Sequence, residues 1–269
     1  MPASPSVARV GSPGAPLTIL MLHGIYGRGR NWQFIAKRLV ERRSDVQCLL
    51  VDLPHHGGSP PGAHGDTVAG LAADISAWLS RQGLAPGAVL GHSFSGKVAL
   101  EVAARTGTRP MQVWLVDSTP EAQPPSGSAW RMLESVRSLP ARFADREEAV
   151  AALGAGGWSP HIAQWMASNL VRRGSAFEWQ LDFDVMETLL RDFFGADLWP
   201  VVEDRSLPHV FHLIKATDSR VVSDEALERL RAIGPPRVVV HELEGSHWIH
   251  AEKPAEVVEL LARELPAGR

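Results

Sequence analysis

The chain has 269 residues, with 45% hydrophobic and 21% charged side chains, and no apolar run approaches the roughly 18 residues of a membrane span; this excludes a disordered chain and a transmembrane helix. The formal net charge is −3 and the 27 lysines and arginines are scattered, so the basic stripe that holds nucleic acid is missing and no such partner is expected. A single cysteine, Cys48, excludes an internal disulfide and any multi-thiolate metal site.

Residues 1–16, rich in Pro, Gly and Ser, carry no cationic stretch leading into an apolar one, so a cytoplasmic location is expected. A short leading strand is predicted at 7–10. Six apolar runs then recur at 17–22, 48–53, 88–90, 113–116, 210–214 and 238–243. Continuous rather than alternating hydrophobicity is the pattern of strands buried on both faces of a parallel sheet. Helical periodicity falls between most of them, at 32–43, 68–81, 96–105, 224–232 and 254–264, and Ser223 before Asp224 and Glu225 reads as an N-cap. The alternation predicts an α/β fold with a mostly parallel central sheet flanked by helices.

Between 118 and 207 the alternation stops. Helical patterns cover 129–139, 146–153, 161–173 and 185–194, and five of the nine tryptophans fall here: Trp130, Trp158, Trp165, Trp179 and Trp199. The expectation is a helical cap (118–207) inserted into a core made of 1–117 and 208–269. Trp130, Trp158, Trp165 and Trp179 are its candidate substrate-binding residues, roofing an apolar pocket.

The chemistry starts at Gly91-His92-Ser93-Phe94-Ser95-Gly96. It follows a strand and opens a helix, the setting that a G-x-S-x-G nucleophile turn requires. Ser95 stands where glycine is usual. Upstream, His23-Gly24-Ile25 ends the first buried strand, where the Ile25 N–H is placed to meet a developing oxyanion together with the Phe94 N–H. His23 is read as a loop-positioning residue beside the substrate rather than a base. Arg28 and Arg30 follow it and are read as solvated. Downstream, His247 in Gly245-Ser246-His247-Trp248 follows the last strand, and its imidazole suits proton exchange with Ser93. His250 follows three residues later, but no acidic or thiolate ligand joins the pair at metal-like spacing, so no metal is expected. His55, His56, His64, His161 and His241 are read as loop, surface or packing residues.

The histidine needs a carboxylate partner. Asp117 and Asp218 each end a predicted strand, at the sheet edge where such sites lie. Asp218 is the expected acid, because its strand immediately precedes the histidine-bearing one; Asp117 is the alternative.

With Leu22-His23-Gly24, the serine turn and Gly245-Ser246-His247 in that order, the chain resembles the α/β-hydrolase superfamily over nearly its whole length. More narrowly, it resembles bacterial esterases related to abhydrolase-domain-containing protein 11, through Asp52-Leu53-Pro54-His55-His56-Gly57-Gly58-Ser59, the segment from Gly91 to Lys97, and Gly245-Ser246-His247-Trp248-Ile249-His250-Ala251-Glu252-Lys253-Pro254. The resemblance implies Ser93 as nucleophile and His247 as base, and in the narrower group an aspartate matching Asp117 can be the acid. The expected function is hydrolysis of a carboxylic ester or thioester with an apolar portion, through an acyl-serine, with no cofactor, by a monomer or small homo-oligomer. A carbon–carbon bond hydrolase on the same triad and a low-turnover ligand sensor are the alternatives.

Overall fold

The computed structural model describes residues 4–268. Its first half runs through strand β1 (Val7–Val10), β2 (Leu17–Leu22), helix α1 (Gln33–Arg42), β3 (Val46–Val51), α2 (Val68–Arg81), β4 (Ala88–His92), α3 (Phe94–Ala104) and β5 (Gln112–Val116). After a long insertion come β9 (Val210–Ala216), α9 (Asp224–Ile233), β10 (Val238–Leu243), α10 (Ile249–Glu252) and α11 (Pro254–Glu264). The sheet order is β1-β3-β2-β4-β5-β9-β10, and every pairing is parallel except that of the edge strand β1 with β3.

The unbroken hydrophobic runs are accounted for by the two faces. Successive side chains of a strand point to opposite sides. In β2, Leu20 and Leu22 join the cluster under α2 and α3, while Leu17, Ile19 and Met21 join the one under α1 and α11. Helix starts follow the expected chemistry: the Thr67 and Ser223 hydroxyls accept from the Gly70 and Ala226 amides at the heads of α2 and α9.

The insertion between β5 and β9 is mixed rather than wholly helical. It contains α4 (Gly127–Ser138), β6 (Arg142–Phe143), α5 (Arg146–Ala155), α6 (Pro160–Ala167), β7 (Leu170–Arg173), β8 (Ala176–Trp179), α7 (Phe183–Gly195) and α8 (Trp199–Glu203). The three short strands pair antiparallel in the order β6-β8-β7. The helix expected over 161–173 therefore stops at Ala167. The reason is the hairpin that follows it: Arg173 pairs with Ala176 across Gly174-Ser175, and Gly174 has φ 63°, the positive φ that tight hairpin turns demand. The insertion adds only a small cluster of its own, around Phe143, Ala149, Ala167 and Leu170. Met132, Leu133, Val136, Trp158, Leu189 and Phe193 extend the core cluster instead. No helix of the described residues is long and apolar enough to cross a membrane.

Candidate active site

The carboxyl ends of the neighbouring strands β4 and β5 lie near the middle of the sheet, and the loop after the edge strand β10 reaches back over them. Ser93 sits between β4 and α3 with φ 53° and ψ −119°, a backbone conformation that costs a non-glycine residue of order 1–3 kcal/mol. Its neighbours hold it there. The Ser93 N–H donates to the Val116 carbonyl (3.0 Å), and the Ser93 carbonyl accepts from the Ser118 hydroxyl (2.6 Å). The turn is so tight that a Cβ at Gly91 would overlap the Ser95 carbonyl, and one at Gly96 would overlap the Ser118 side chain. Ser95 is accommodated because its hydroxyl is fully buried and donates to the Leu22 carbonyl at 2.9 Å. It ties the serine turn to the end of β2.

His247 reaches back from the loop after β10. Its Nε2 lies 2.9 Å from Ser93 Oγ, and its Nδ1 lies 2.6 Å from Asp117 Oδ2. The acid against the imidazole is thus Asp117, which corrects the preference for Asp218. Asp218 is exposed, and among the described residues its carboxylate accepts only from the neighbouring Thr217 hydroxyl, at 3.1 Å. The two loops are adjacent as expected, since the Asp218 N–H donates to the Gly245 carbonyl (2.9 Å), but the side chain faces away. Asp117 follows β5, with φ 46°, and its fully buried carboxylate lies across the end of β9. There it accepts from the Ala216 N–H (3.2 Å) and the Ser219 hydroxyl (2.5 Å) as well as from His247.

The His247 loop is itself anchored. The Ser246 N–H and hydroxyl both donate to the Glu252 carboxylate (2.9 and 2.6 Å). The buried His92 ring, next to the serine, contacts the His247 carbonyl through Nε2 at 2.9 Å. Burial, with His250 and His247 adding to it, pushes the His92 imidazole well below its ordinary pKa, so it is the neutral Nε2–H that donates.

Opposite Ser93 lies the turn Gly24–Gly27, closed by the Gly27 N–H donating to the Gly24 carbonyl (2.9 Å), with Tyr26 at φ 62°. Ile25 lines the same cavity as Ser93, and the Phe94 N–H, at the first position of α3, is one of the helix amides with no intrahelical acceptor. His23 holds this turn rather than touching a substrate, which corrects its placement as a binding residue. It is buried, its Nδ1 bonds the Gly24 carbonyl (2.8 Å), and its Nε2 accepts the Leu53 N–H (2.9 Å). Burial lowers its pKa to about 4, so the ring is neutral, as an Nε2 acceptor must be. The 52–59 motif is explained in the same way: the Asp52 carboxylate accepts from the Gly29 and Gly58 amides (2.7 and 2.8 Å) and shapes the adjoining loop.

The cavity over Ser93 is narrow, with a volume of about 30 Å³. Of the tryptophans singled out in the sequence, Trp158 and Trp165 line it. Trp130 instead donates to Glu134 (3.1 Å), and Trp179 packs edge-on against Phe143 and Phe183; both lie outside the cavity wall. Tyr26, Met132, Ile162 and Trp248 complete much of the apolar lining and were not expected to. Trp248 sits in a motif read only for its histidine, whereas Met132 and Ile162 carry no signal beyond helical periodicity. Arg28 is not free in solvent: its guanidinium donates to the side-chain carbonyls of Asn169 (3.1 Å) and Gln180 (2.9 Å).

A parallel sheet bearing a strained serine turn, with a buried acid and a histidine on later strands, defines a known class, and the chain belongs to it: the alpha/beta hydrolase family, whose model matches residues 19–260. Among proteins of known identity, it is 28% identical over 250 residues to the sn-1-specific diacylglycerol lipase ABHD11 of Xenopus tropicalis, covering 90% of this chain and 75% of that one. It is 29% identical over 259 residues to lipase LipV of Mycobacterium tuberculosis, covering 94% and 95%. Among solved structures, a marine microorganism esterase superposes with a TM-score of 0.82 at 21% identity, covering 98% of this chain and all of that one.

Proposed function

We propose that this protein is a serine hydrolase that cleaves carboxylic esters or thioesters through an acyl-serine intermediate. The observation that carries the reading is the continuous contact from Asp117 Oδ2 to His247 Nδ1 (2.6 Å) and from His247 Nε2 to Ser93 Oγ (2.9 Å). The kinship with lipases favours an ester among possible acyl substrates.

In this scheme His247 Nε2 takes the Ser93 proton as the oxygen adds to the substrate carbonyl, and Asp117 holds the Nδ1–H tautomer and stabilises the imidazolium. The Ile25 and Phe94 amides receive the oxyanion, each contributing roughly 3–4 kcal/mol to the transition state. His247 then protonates the leaving alcohol or thiol. Water, deprotonated by the same imidazole, releases the acid from Ser93. The insertion serves as a cap whose Met132, Trp158, Ile162 and Trp165 side chains offer an apolar seat for the acyl chain. Steady-state hydrolysis of p-nitrophenyl butyrate tests the reading. Ser93→Ala is expected to lower kcat by about 10³-fold or more, and a fluorophosphonate probe should add its mass to the Ser93 peptide of the wild type alone. Turnover within tenfold of wild type in Ser93→Ala would overturn the proposal.

A further inference from the structure

Lys215 is the last residue but one of β9 and stands in an otherwise apolar stretch, Leu213-Ile214-Lys215-Ala216. It is buried, and a buried amino group is costly unless its hydrogen bonds are made. Among the described residues its Nζ donates to two main-chain carbonyls, those of Ala216 (2.5 Å) and Ser219 (2.7 Å), rather than to a carboxylate. No step of the proposed reaction uses it.

The two residues that Lys215 grips are the same two that serve the acid. The Ala216 N–H donates to Asp117 Oδ1 (3.2 Å) and the Ser219 hydroxyl to Oδ2 (2.5 Å). An ionised carboxylate only accepts, so the Ser219 proton points at Asp117, and the same Oγ accepts the Val221 N–H at 3.2 Å. The residues between them bond the other way. The Thr217 N–H donates to the Leu243 carbonyl and the Asp218 N–H to the Gly245 carbonyl, each at 2.9 Å, on the segment that leads to His247. The turn 216–219 therefore holds the acid with its ends and the base-bearing segment with its middle. Its ends are tied together twice, through Lys215 Nζ and through the Ser219 N–H, which returns to the Ala216 carbonyl at 3.1 Å.

We infer that Ser219 and Lys215 are positioning residues for the reaction: the turn 216–219 sets the plane of the Asp117 carboxylate and its separation from His247, and Lys215 keeps that turn closed. The inference rests on the hydrolase reading above and extends it from the three reacting side chains to the segment that spaces them. The need arises in Asp117 itself. The terminal torsion of an aspartate is broad and settles no orientation of its own, so the carboxylate plane must be imposed from outside. Oδ2 carries the contact with His247 Nδ1 at 2.6 Å, and the donors from Ala216 and Ser219 fix one oxygen each. Without the Ser219 hydroxyl the carboxylate is free to swing, and the imidazole loses the partner that holds its Nδ1–H tautomer.

Hydrolysis of p-nitrophenyl butyrate by the wild type, Ser219→Ala, Asp117→Asn and the double variant tests this. Ser219→Ala should lower kcat about tenfold, the lower end of what a hydrogen bond to a charged group is worth. KM should stay within twofold, because neither Ser219 nor Lys215 lines the cavity over Ser93. Introduced into Asp117→Asn, the same change should cost less than twofold, since effects that pass through one group do not add. Lys215→Met should show the same pattern; if that buried substitution does not fold, Ser219→Ala, which removes a single oxygen, decides the matter. A kcat for Ser219→Ala within twofold of wild type overturns the inference. So does an equal loss in the wild-type and Asp117→Asn backgrounds, which a residue serving stability alone would give. Fluorophosphonate labelling of Ser93 and the loss of turnover in Ser93→Ala are scored alongside, so failure of the hydrolase reading shows separately from failure of this inference.

Discussion

Replacing Asp117 by asparagine is the sharpest perturbation of the proposed mechanism, because it changes one atom and leaves the volume alone. The carboxylate is fully buried and accepts from His247 Nδ1 at 2.6 Å, from the Ser219 hydroxyl at 2.5 Å and from the Ala216 amide at 3.2 Å. Asparagine keeps one acceptor oxygen for those donors but can present an N–H to the imidazole. The ring then answers with its other tautomer, placing a hydrogen on Nε2, where Ser93 Oγ needs a lone pair 2.9 Å away. A swap of this kind in a serine protease triad lowers kcat by about 10⁴, which is about 5 kcal/mol of barrier. The expectation is a loss of that order in kcat for p-nitrophenyl butyrate, with KM within a few-fold and a folded circular-dichroism spectrum. The control is Asp218→Asn: its exposed side chain accepts from the neighbouring Thr217 hydroxyl, and kcat should stay within about twofold of wild type, as surface changes usually do. A collapse in Asp218→Asn with a mild effect in Asp117→Asn would refute the reasoning, whatever the static distances.

Two further outcomes are expected. Asn169, buried in the insertion, donates Nδ2–H to the Tyr26 carbonyl at 2.8 Å and so secures the turn that carries Ile25. Asn169→Leu should lower kcat about tenfold, a fraction of the 10²–10³ that a whole oxyanion donor is worth, with little change in KM; a raised KM at unchanged kcat would show that the residue serves binding instead. Stability should fall in acid, because burial lowers His23 to about 4, and His56 and His250 to about 3. Between an unfolded value near 6.5 and those folded values only the unfolded chain binds the protons. Each ring therefore withdraws up to about 1.4 kcal/mol per pH unit as pH falls through that window, and nothing above it. The urea midpoint should drop markedly from pH 7.5 to pH 5.0, and an equal or higher midpoint at pH 5.0 would contradict this assignment of neutral buried rings.

Some of this site is legible in the sequence because its signals are local. Ser93 announces itself through a buried strand, small residues and a helix within a dozen positions, and His247 through its place between the last strand and the terminal helix. The pairing of His247 with Asp117 is not local. Choosing Asp218 used proximity of loops, which the structure bears out in the backbone, as a proxy for the direction of a side chain. Asp117 reaches His247 from a left-handed backbone, φ 46°, with its carboxylate held by the Ala216 amide and the Ser219 hydroxyl, and no aspartate advertises such a conformation beforehand. The insertion hid its strands for a related reason. Residues 170–173 continue the apolar spacing of α6, and only Gly174-Ser175 marks the reversal that makes them half of a hairpin. Tryptophan enrichment was likewise a poor guide to the cavity, since a large ring with one donor also makes a good packing residue. Trp199 stacks under the Arg229 guanidinium at 4.1 Å, and Trp130 lies 5.0 Å beneath that of Arg191.

The bonds between insertion and core bear on how a substrate could reach Ser93. On one side, the buried Lys97 of the serine motif donates to the carbonyls of Glu121, Phe193 and Ala196, at 2.6–2.7 Å, two of them at the carboxyl end of α7, where a cation is favoured. On the other side, Tyr26 donates its hydroxyl to the Ala129 carbonyl (3.0 Å), and Asn169 and Gln180 hold Tyr26 and Arg28. Swinging the insertion away as a body would strip all of these together, and buried donors left unpaired cost roughly 1–3 kcal/mol apiece. It would also release the very turn that carries Ile25. Rotation of Trp165 against Trp248 breaks no hydrogen bond between the two rings; it costs their edge-to-face contact, worth about 1 kcal/mol, and the contacts of the Trp248 ring with His92, His247 and His250. Movement of these two side chains is therefore expected to open Ser93 at less cost than undocking the insertion, and it leaves the Gly24–Gly27 turn intact.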